Sequence, residues 1–128
     1  MKKLTKAEEQ VMQILWEIKK GFVRDILEKI AIPKPAYNTV STIVRILEKK
    51  EFIGHIAYGK SHEYFPLVSK KDYAKTYLNG ILVGYFSDSY KQLVSFFSKE
   101  NNLSITEMEE IKEMIEDQIN KQKENQNQ

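Results

Sequence analysis

Ala36-Tyr-Asn-Thr-Val-Ser-Thr-Ile-Val-Arg-Ile-Leu-Glu-Lys-Lys50 is the stretch that decides how this chain is read. Val40, Ile43, Val44 and Leu47 recur at i, i+3, i+4 and i+7, so one face of a helix here is apolar and expected to be buried. The other face carries Asn38, Ser41, Thr42 and Arg45 on one stripe, with Thr39 at its edge and Lys49 a turn further on. A face turned only to water would hold Glu, Lys and Gln, because Ser, Thr and Asn compete for backbone hydrogen bonds and are poorer helix formers. Short hydroxyls and amides let a helix backbone come close to a partner while offering donors and acceptors. That suits base edges and phosphate oxygens in a DNA major groove. A solvent face of middling composition is the alternative reading of the same residues.

Upstream, Thr5-Lys-Ala-Glu8 has the spacing of a capping box and predicts a helix start. Ala7, Val11, Ile14, Leu15 and Ile18 give that helix a buried stripe, widened by Met12 and by Trp16 as a core residue, and Gly21 is expected to close it. A short second helix, roughly Val23 to Ala31, repeats the pattern with Val23, Ile26, Leu27 and Ile30. Pro33 and Pro35, which lack an amide hydrogen, are expected to end it.

Downstream of Lys50 the apolar period changes from 3.6 to 2. Phe52 to Tyr58 and His62 to Val68 are rich in β-branched and aromatic residues and flank Gly59-Lys60-Ser61, where a glycine can take a positive φ. This predicts a β-hairpin. Three helices and then a hairpin is the order of a winged helix-turn-helix, whose third helix enters the major groove while the hairpin loop flanks it. Lys60 at the loop tip, with Tyr58, Ser61 and His62 beside it, is read as a phosphate contact; a merely solvated lysine is the bland alternative. His55 and His62 can face each other across the hairpin, but two imidazoles without a third ligand make a poor metal site. A wing histidine bonded to phosphate is the better reading.

From Ser69 the chain becomes helical again. Ser69-Lys-Lys-Asp72 is a capping signal, and Ala74, Tyr77, Leu78, Ile81 and Tyr85 form a stripe to about Phe86. Gly80 and Gly84, one turn apart, either permit close helix contact or mark an early break. Ser87-Asp88-Ser89 separates a helix with Tyr90, Leu93, Val94 and Phe97 in register, and Asn101-Asn102 separates that from a last one. Ser104-Ile-Thr-Glu107 is a second capping box, and Ile105, Met108, Ile111, Ile115 and Ile119 make a long apolar seam beside acidic residues. The polar tail from about Lys121 is expected to fray. Some 60 residues in three amphipathic helices hold too little mass for a good core of their own, so a partner is expected to cover them. A second copy, burying Leu93, Phe97, Met108, Ile111, Ile115 and Ile119, is favoured over folding back on the N-terminal domain.

The expected fold is therefore mainly α with a small β-hairpin: a winged helix-turn-helix in residues 1–68 and a helical dimerisation region in 69–128. At 128 residues and 41% apolar content the chain can build a compact core. Its formal charge of +2 is unevenly placed: residues 1–68 hold 12 Lys/Arg against 8 Asp/Glu, net +4, and residues 69–128 hold 8 against 10, net −2. The N-terminal half is the one suited to an anion. No cysteine means no disulfide, thiolate metal site or cysteine nucleophile. No apolar run resembles a signal peptide or approaches the roughly 20 residues of a membrane span, so a cytoplasmic location and no membrane insertion are expected. No paired carboxylates, nucleophile with base, phosphate loop or metal cluster stand at usable spacing; an enzyme, a cofactor and a metal are not expected.

Leu4 to Trp16, Tyr37 to Lys50, Phe52-Ile-Gly-His55 and Gly59 to Leu67 together resemble the penicillinase-repressor (BlaI/MecI) family of bacterial winged-helix repressors. The resemblance covers nearly the whole chain. It implies a homodimer whose N-terminal domains bind double-stranded operator DNA and whose C-terminal helices hold the dimer. Carried onto this sequence, it turns Asn38, Thr39, Ser41 and Thr42 toward bases or phosphates, with Arg45 behind them. With Tyr37, Lys60, Ser61 and His62 these make up the expected DNA-binding set. The resemblance also implies release by an inducing signal such as proteolysis, with a sensor protease or membrane sensor-transducer as partner.

Three departures bear on regulation. Copper-responsive members of the family share a cysteine-rich C-terminal motif, which a chain without cysteine lacks. Antibiotic-responsive members are cut at an Asn-Phe bond, and the matching positions here are Phe96-Phe97. Glu51 stands where the family has glycine in the turn after the reading helix, so the backbone there is expected to differ slightly. A helical protein-interaction adaptor without DNA binding is the rival class, since winged helices also bind proteins.

Overall fold

The computed structural model describes residues 1–100 and 103–127. In chain order these form α1 (Lys6–Ile18), α2 (Val23–Lys29), α3 (Tyr37–Lys49), β1 (Ile53–Tyr58), β2 (Ser61–Pro66), α4 (Lys70–Phe86), α5 (Tyr90–Glu100) and α6 (Ile105–Gln126). The fold is mainly α with one two-stranded antiparallel hairpin, the winged helix-turn-helix followed by further helices. Two compact units, Met1–Asn79 and Gly80–Gln128, meet inside α4.

In the first unit, both arms of the Thr5–Glu8 capping box are made, and α1 buries Val11, Met12, Ile14 and Leu15. Ala7, expected in this stripe, is exposed, and Trp16 and Ile18 are half-buried at the rim of the core. Ala7 lies in the first turn, where the buried contact is made instead by Glu8. Its carboxylate takes Lys50 Nζ at 2.8 Å and the Thr5 amide at 2.8 Å. Gly21 does not close α1; Lys19 does, at φ 73°, with its amide on the Leu15 carbonyl. Gly21 exchanges two backbone hydrogen bonds with Tyr64, at 2.9 and 2.8 Å, adding a one-residue bridge along the free edge of β2. A Cβ there would lie 2.8 Å from Ile18 Cδ1, so the glycine answers to close approach and not to helix ending.

α2 is shorter than expected and stops ahead of the prolines. Ile30 is already extended, and Lys34 Nζ satisfies the carbonyls of Leu27, Glu28 and Ile30 at 2.8–3.0 Å. Helix α3 then buries Val40, Val44 and Leu47 against this core, with Ile43 half-buried. Glu51 follows at φ 67°, a left-handed position that favours glycine. β1 and β2 pair from Ile53↔Pro66 to Tyr58↔Ser61, leaving a two-residue turn, Gly59-Lys60, with Gly59 at φ 63°. Ser61, expected in the loop, belongs to β2. Tyr73 of α4 is buried here too: it sits 5.8 Å from the Phe52 ring and 5.9 Å from that of Trp16, which donates to the Val68 carbonyl at 2.8 Å.

α4 is capped by Ser69, whose Oγ accepts from the Asp72 amide at 3.0 Å. It runs unbroken through Gly80 and Gly84, which excludes the early break. The expected stripe is not the buried one: Ala74, Tyr77, Leu78 and Tyr85 are exposed, Ile81 is half-buried, and Tyr73 and Leu82 are buried. The pattern misled because α4 is apolar on more than one side.

In the second unit, Ser87 and Asp88 turn the chain at φ 51° and 58°, and Ser89 caps α5. The expected break at Asn101-Asn102 lies outside the described residues. Ser104 and Glu107 complete their capping box, and α6 continues through the stretch expected to fray, to Gln126. Lys121, Gln122, Lys123 and Glu124 are good helix formers without glycine or proline among them, so the helix has no reason to stop at Lys121.

Candidate nucleic-acid interface

Helix α3 and the wing bound one concave surface. An open cleft of about 890 Å3 lies between the start of α2, the outer face of α3 and the hairpin. Tyr37, Asn38, Ser41 and Arg45 line it from α3, and Lys60, Ser61 and His62 line it from the wing. Seven of the nine residues expected in the site therefore meet here. Thr39 and Thr42 are exposed on α3 but lie off the cleft lining.

Arg24 and Tyr58 also line the cleft and were not in the expected set. Arg24 sits in the first turn of the seven-residue α2, with no motif to mark it; only the fold brings it opposite the wing. Its neighbour Asp25 spends one carboxylate oxygen on the Phe22 amide at 2.9 Å. Phe22 in turn packs on Tyr58, ring centres 6.0 Å apart, which ties the start of α2 to the hairpin.

Local hydrogen bonds set which polar atoms are free. Thr42 Oγ1 donates to the Asn38 carbonyl at 2.9 Å, so toward a partner it offers acceptor lone pairs and a methyl group. Those suit a base amino group and a thymine methyl. Arg45 donates to Ser41 Oγ at 3.1 Å and keeps its other guanidinium donors. Tyr64, buried behind the cleft, has its phenol raised above the ordinary value of 10.0 by burial first and by the Glu48 charge second, against the pull of Arg45. It stays a neutral wall.

The two histidines do face each other. His55 and His62 are diagonal neighbours on one hairpin face, rings stacked 4.1 Å apart and 7° from parallel, and His55 Nδ1 donates to Glu48 of α3. Stacked rings cannot aim their lone pairs at one ion. Among the described residues no group of three His, Cys, Asp or Glu is placed to hold a metal.

In the second unit the expected seam is open to solvent. Phe97, Met108, Ile111, Ile115 and Ile119 are 36–48% exposed, and Leu93 is half-buried. α5 and α6 have no buried residue, and between them runs an apolar groove of about 300 Å3 lined by Val94, Phe97, Leu103, Met108, Ile111 and Ile115. No helix among the described residues is long and apolar enough to cross a membrane.

Known proteins resemble this chain over most of its length. The methicillin resistance regulatory protein MecI of Staphylococcus aureus (strain N315) is 30% identical over 117 residues, covering 88% of this chain and 92% of that protein. The penicillinase repressor of Bacillus licheniformis is 23% identical over 122 residues, 94% of this chain and 95% of the other. The solved DNA-binding domain of the repressor BlaI, at 25% identity and a TM-score of 0.49, covers 57% of this chain and 94% of that one. The family model described as penicillinase repressor matches residues 4–117, and the chain belongs to that family.

Proposed function

We propose that the chain is a transcriptional repressor that binds double-stranded DNA with sequence preference through α3 and the wing. The observation that carries this is the convergence of the short polar face of α3 and the Gly59-Lys60 turn on one cleft. Asn38, Ser41, Thr42 and, at the edge, Thr39 are assigned to base edges or nearby phosphates, with Tyr37 beside them. Arg45, Lys60, Ser61 and His62 are assigned chiefly to phosphates. The family is one of repressors and not of enzymes, and its relatives are named for regulation. A duplex ligand places the work in the cytoplasm.

The second unit, on this reading, joins two copies. Five exposed apolar residues with half-buried Leu93, in a unit with 5 Lys against 9 Asp/Glu, net −4, are what a self-association face looks like before it closes. A dimer matches a pseudo-palindromic operator, one reading helix to each half-site. Release by a sensor protease acting near Phe96-Phe97 fits the same scheme. The bond lies inside α5, so that helix must open locally before it can be cut.

Selection of bound duplexes from a random pool tests the reading. The parent should return a two-fold related sequence, and Asn38→Ala with Thr42→Ala should relax the preference within each half-site while the protein stays folded. Recovery of no duplex above background would leave the protein-adaptor reading.

A further inference from the structure

Glu48, His55 and His62 form a column of side chains from α3 to the wing. Glu48 and His55 do not line the cleft; His62, on top of the column, does. Because a carboxylate only accepts, the proton on His55 must sit on Nδ1, which fixes the ring against Glu48 and presents its flat face to His62. The wing is held at its base by Phe52 and Ile53 in the core and by the Gly21–Tyr64 bridge. His55 stands opposite Tyr64, at the level of that bridge, and from there the stack onto His62 and the Phe22–Tyr58 packing carry the attachment toward the tip.

We propose that Glu48 and His55 are positioning residues that hold the wing, and with it His62 and Lys60, at the distance from α3 at which both meet the phosphate backbone. This rests on the DNA reading of the cleft. A two-stranded hairpin has little stability of its own, so its place depends on what ties it to the helices. Fixing it before association removes an ordering cost that binding would otherwise carry. The sign of the effect is diagnostic. Glu48 is an acid beside a polyanion, so electrostatics alone makes its removal strengthen binding; positioning makes its removal weaken binding.

Affinity of the full-length chain for one duplex should be measured for the parent, Glu48→Ala, His62→Ala and the double variant, with folding followed by circular dichroism. Glu48→Ala is expected to weaken binding by about fivefold or more, and the same change in the His62→Ala background to cost clearly less, because only the placement of Lys60 is then lost. His55→Ala should reproduce the Glu48→Ala pattern. Glu48→Gln, whose amide oxygen still accepts from Nδ1, should keep most of the parent's affinity. Binding by Glu48→Ala that equals or exceeds the parent's, or an equal loss in both backgrounds, overturns the positioning role. A parent that binds no duplex at any salt overturns the DNA reading itself, and that outcome is read before any variant is made.

Discussion

Glu51 occupies a left-handed backbone position at φ 67° with a side chain that makes such a position costly. Glycine there relieves the Cβ clash but gives some of the gain back in unfolded-state entropy, so Glu51→Gly is expected to stabilise the first unit by about 0.5–1 kcal/mol. Chemical denaturation checks it; a destabilised variant would mean that the Glu51 side chain contributes more than the strain costs. A second residue-scale prediction concerns Glu8 and Lys50, whose side chains are 5% and 23% exposed. Burial raises the Glu8 pKa, but the hydrogen bonds from Lys50 and Thr5 outweigh it and hold the group below its ordinary value of 4.5. A carboxylate depressed on folding stabilises above the unfolded-state value, and that contribution fades as pH falls through the folded one. Lys50→Met leaves the buried carboxylate without its cation and should cost about 2–3 kcal/mol at neutral pH, less than a fully buried pair because Lys50 is partly solvated. The gap between parent and variant should narrow as pH falls, first as the variant's uncompensated carboxylate takes up a proton and last as the pH passes the parent's depressed value. A gap independent of pH would remove the ion pair from the account.

At the scale of elements, the α5 and α6 faces make the sharpest prediction. Ile111→Glu places a charge in the seam, and burying it without a partner costs several kcal/mol, so the variant should sediment as a monomer while its first unit stays folded. A variant that remains dimeric would move the interface elsewhere. The elements differ in how legible they were in the sequence. α1, α3, α6 and the hairpin were legible because capping boxes and unmixed apolar periods act locally. The cleft's α3 and wing residues were legible for the same reason, since their spacing places them. What escaped depends on tertiary contact. The pairing of Gly21 with Tyr64, the burial of Tyr73 under Trp16 and Phe52, and the place of Arg24 opposite the wing are set by residues more than twenty positions away. α4 was misread for a related reason. With apolar residues on several sides, its period alone does not say which face meets the core.

For the whole molecule, the charge follows the two units, residues 1–79 holding 15 Lys/Arg against 9 Asp/Glu and residues 80–128 holding 5 against 9, which on the proposed reading is one division of labour: a basic unit for DNA and an acidic unit for a second copy. Linking two reading heads raises the effective concentration of the second once the first is bound, so loss of the dimer should lower operator occupancy far more than loss of any one contact. All of this depends on the cleft between α3 and the wing being where duplex DNA binds. The most direct test is the salt dependence of duplex affinity for the parent beside an Arg45→Ala, Lys60→Ala double variant. If both cations sit on phosphates, the double variant should bind specific and random duplexes more weakly alike, and the slope of log affinity against log salt should flatten by about two units per protomer. An unchanged slope in a folded double variant would contradict the account, because the DNA would then be bound somewhere else.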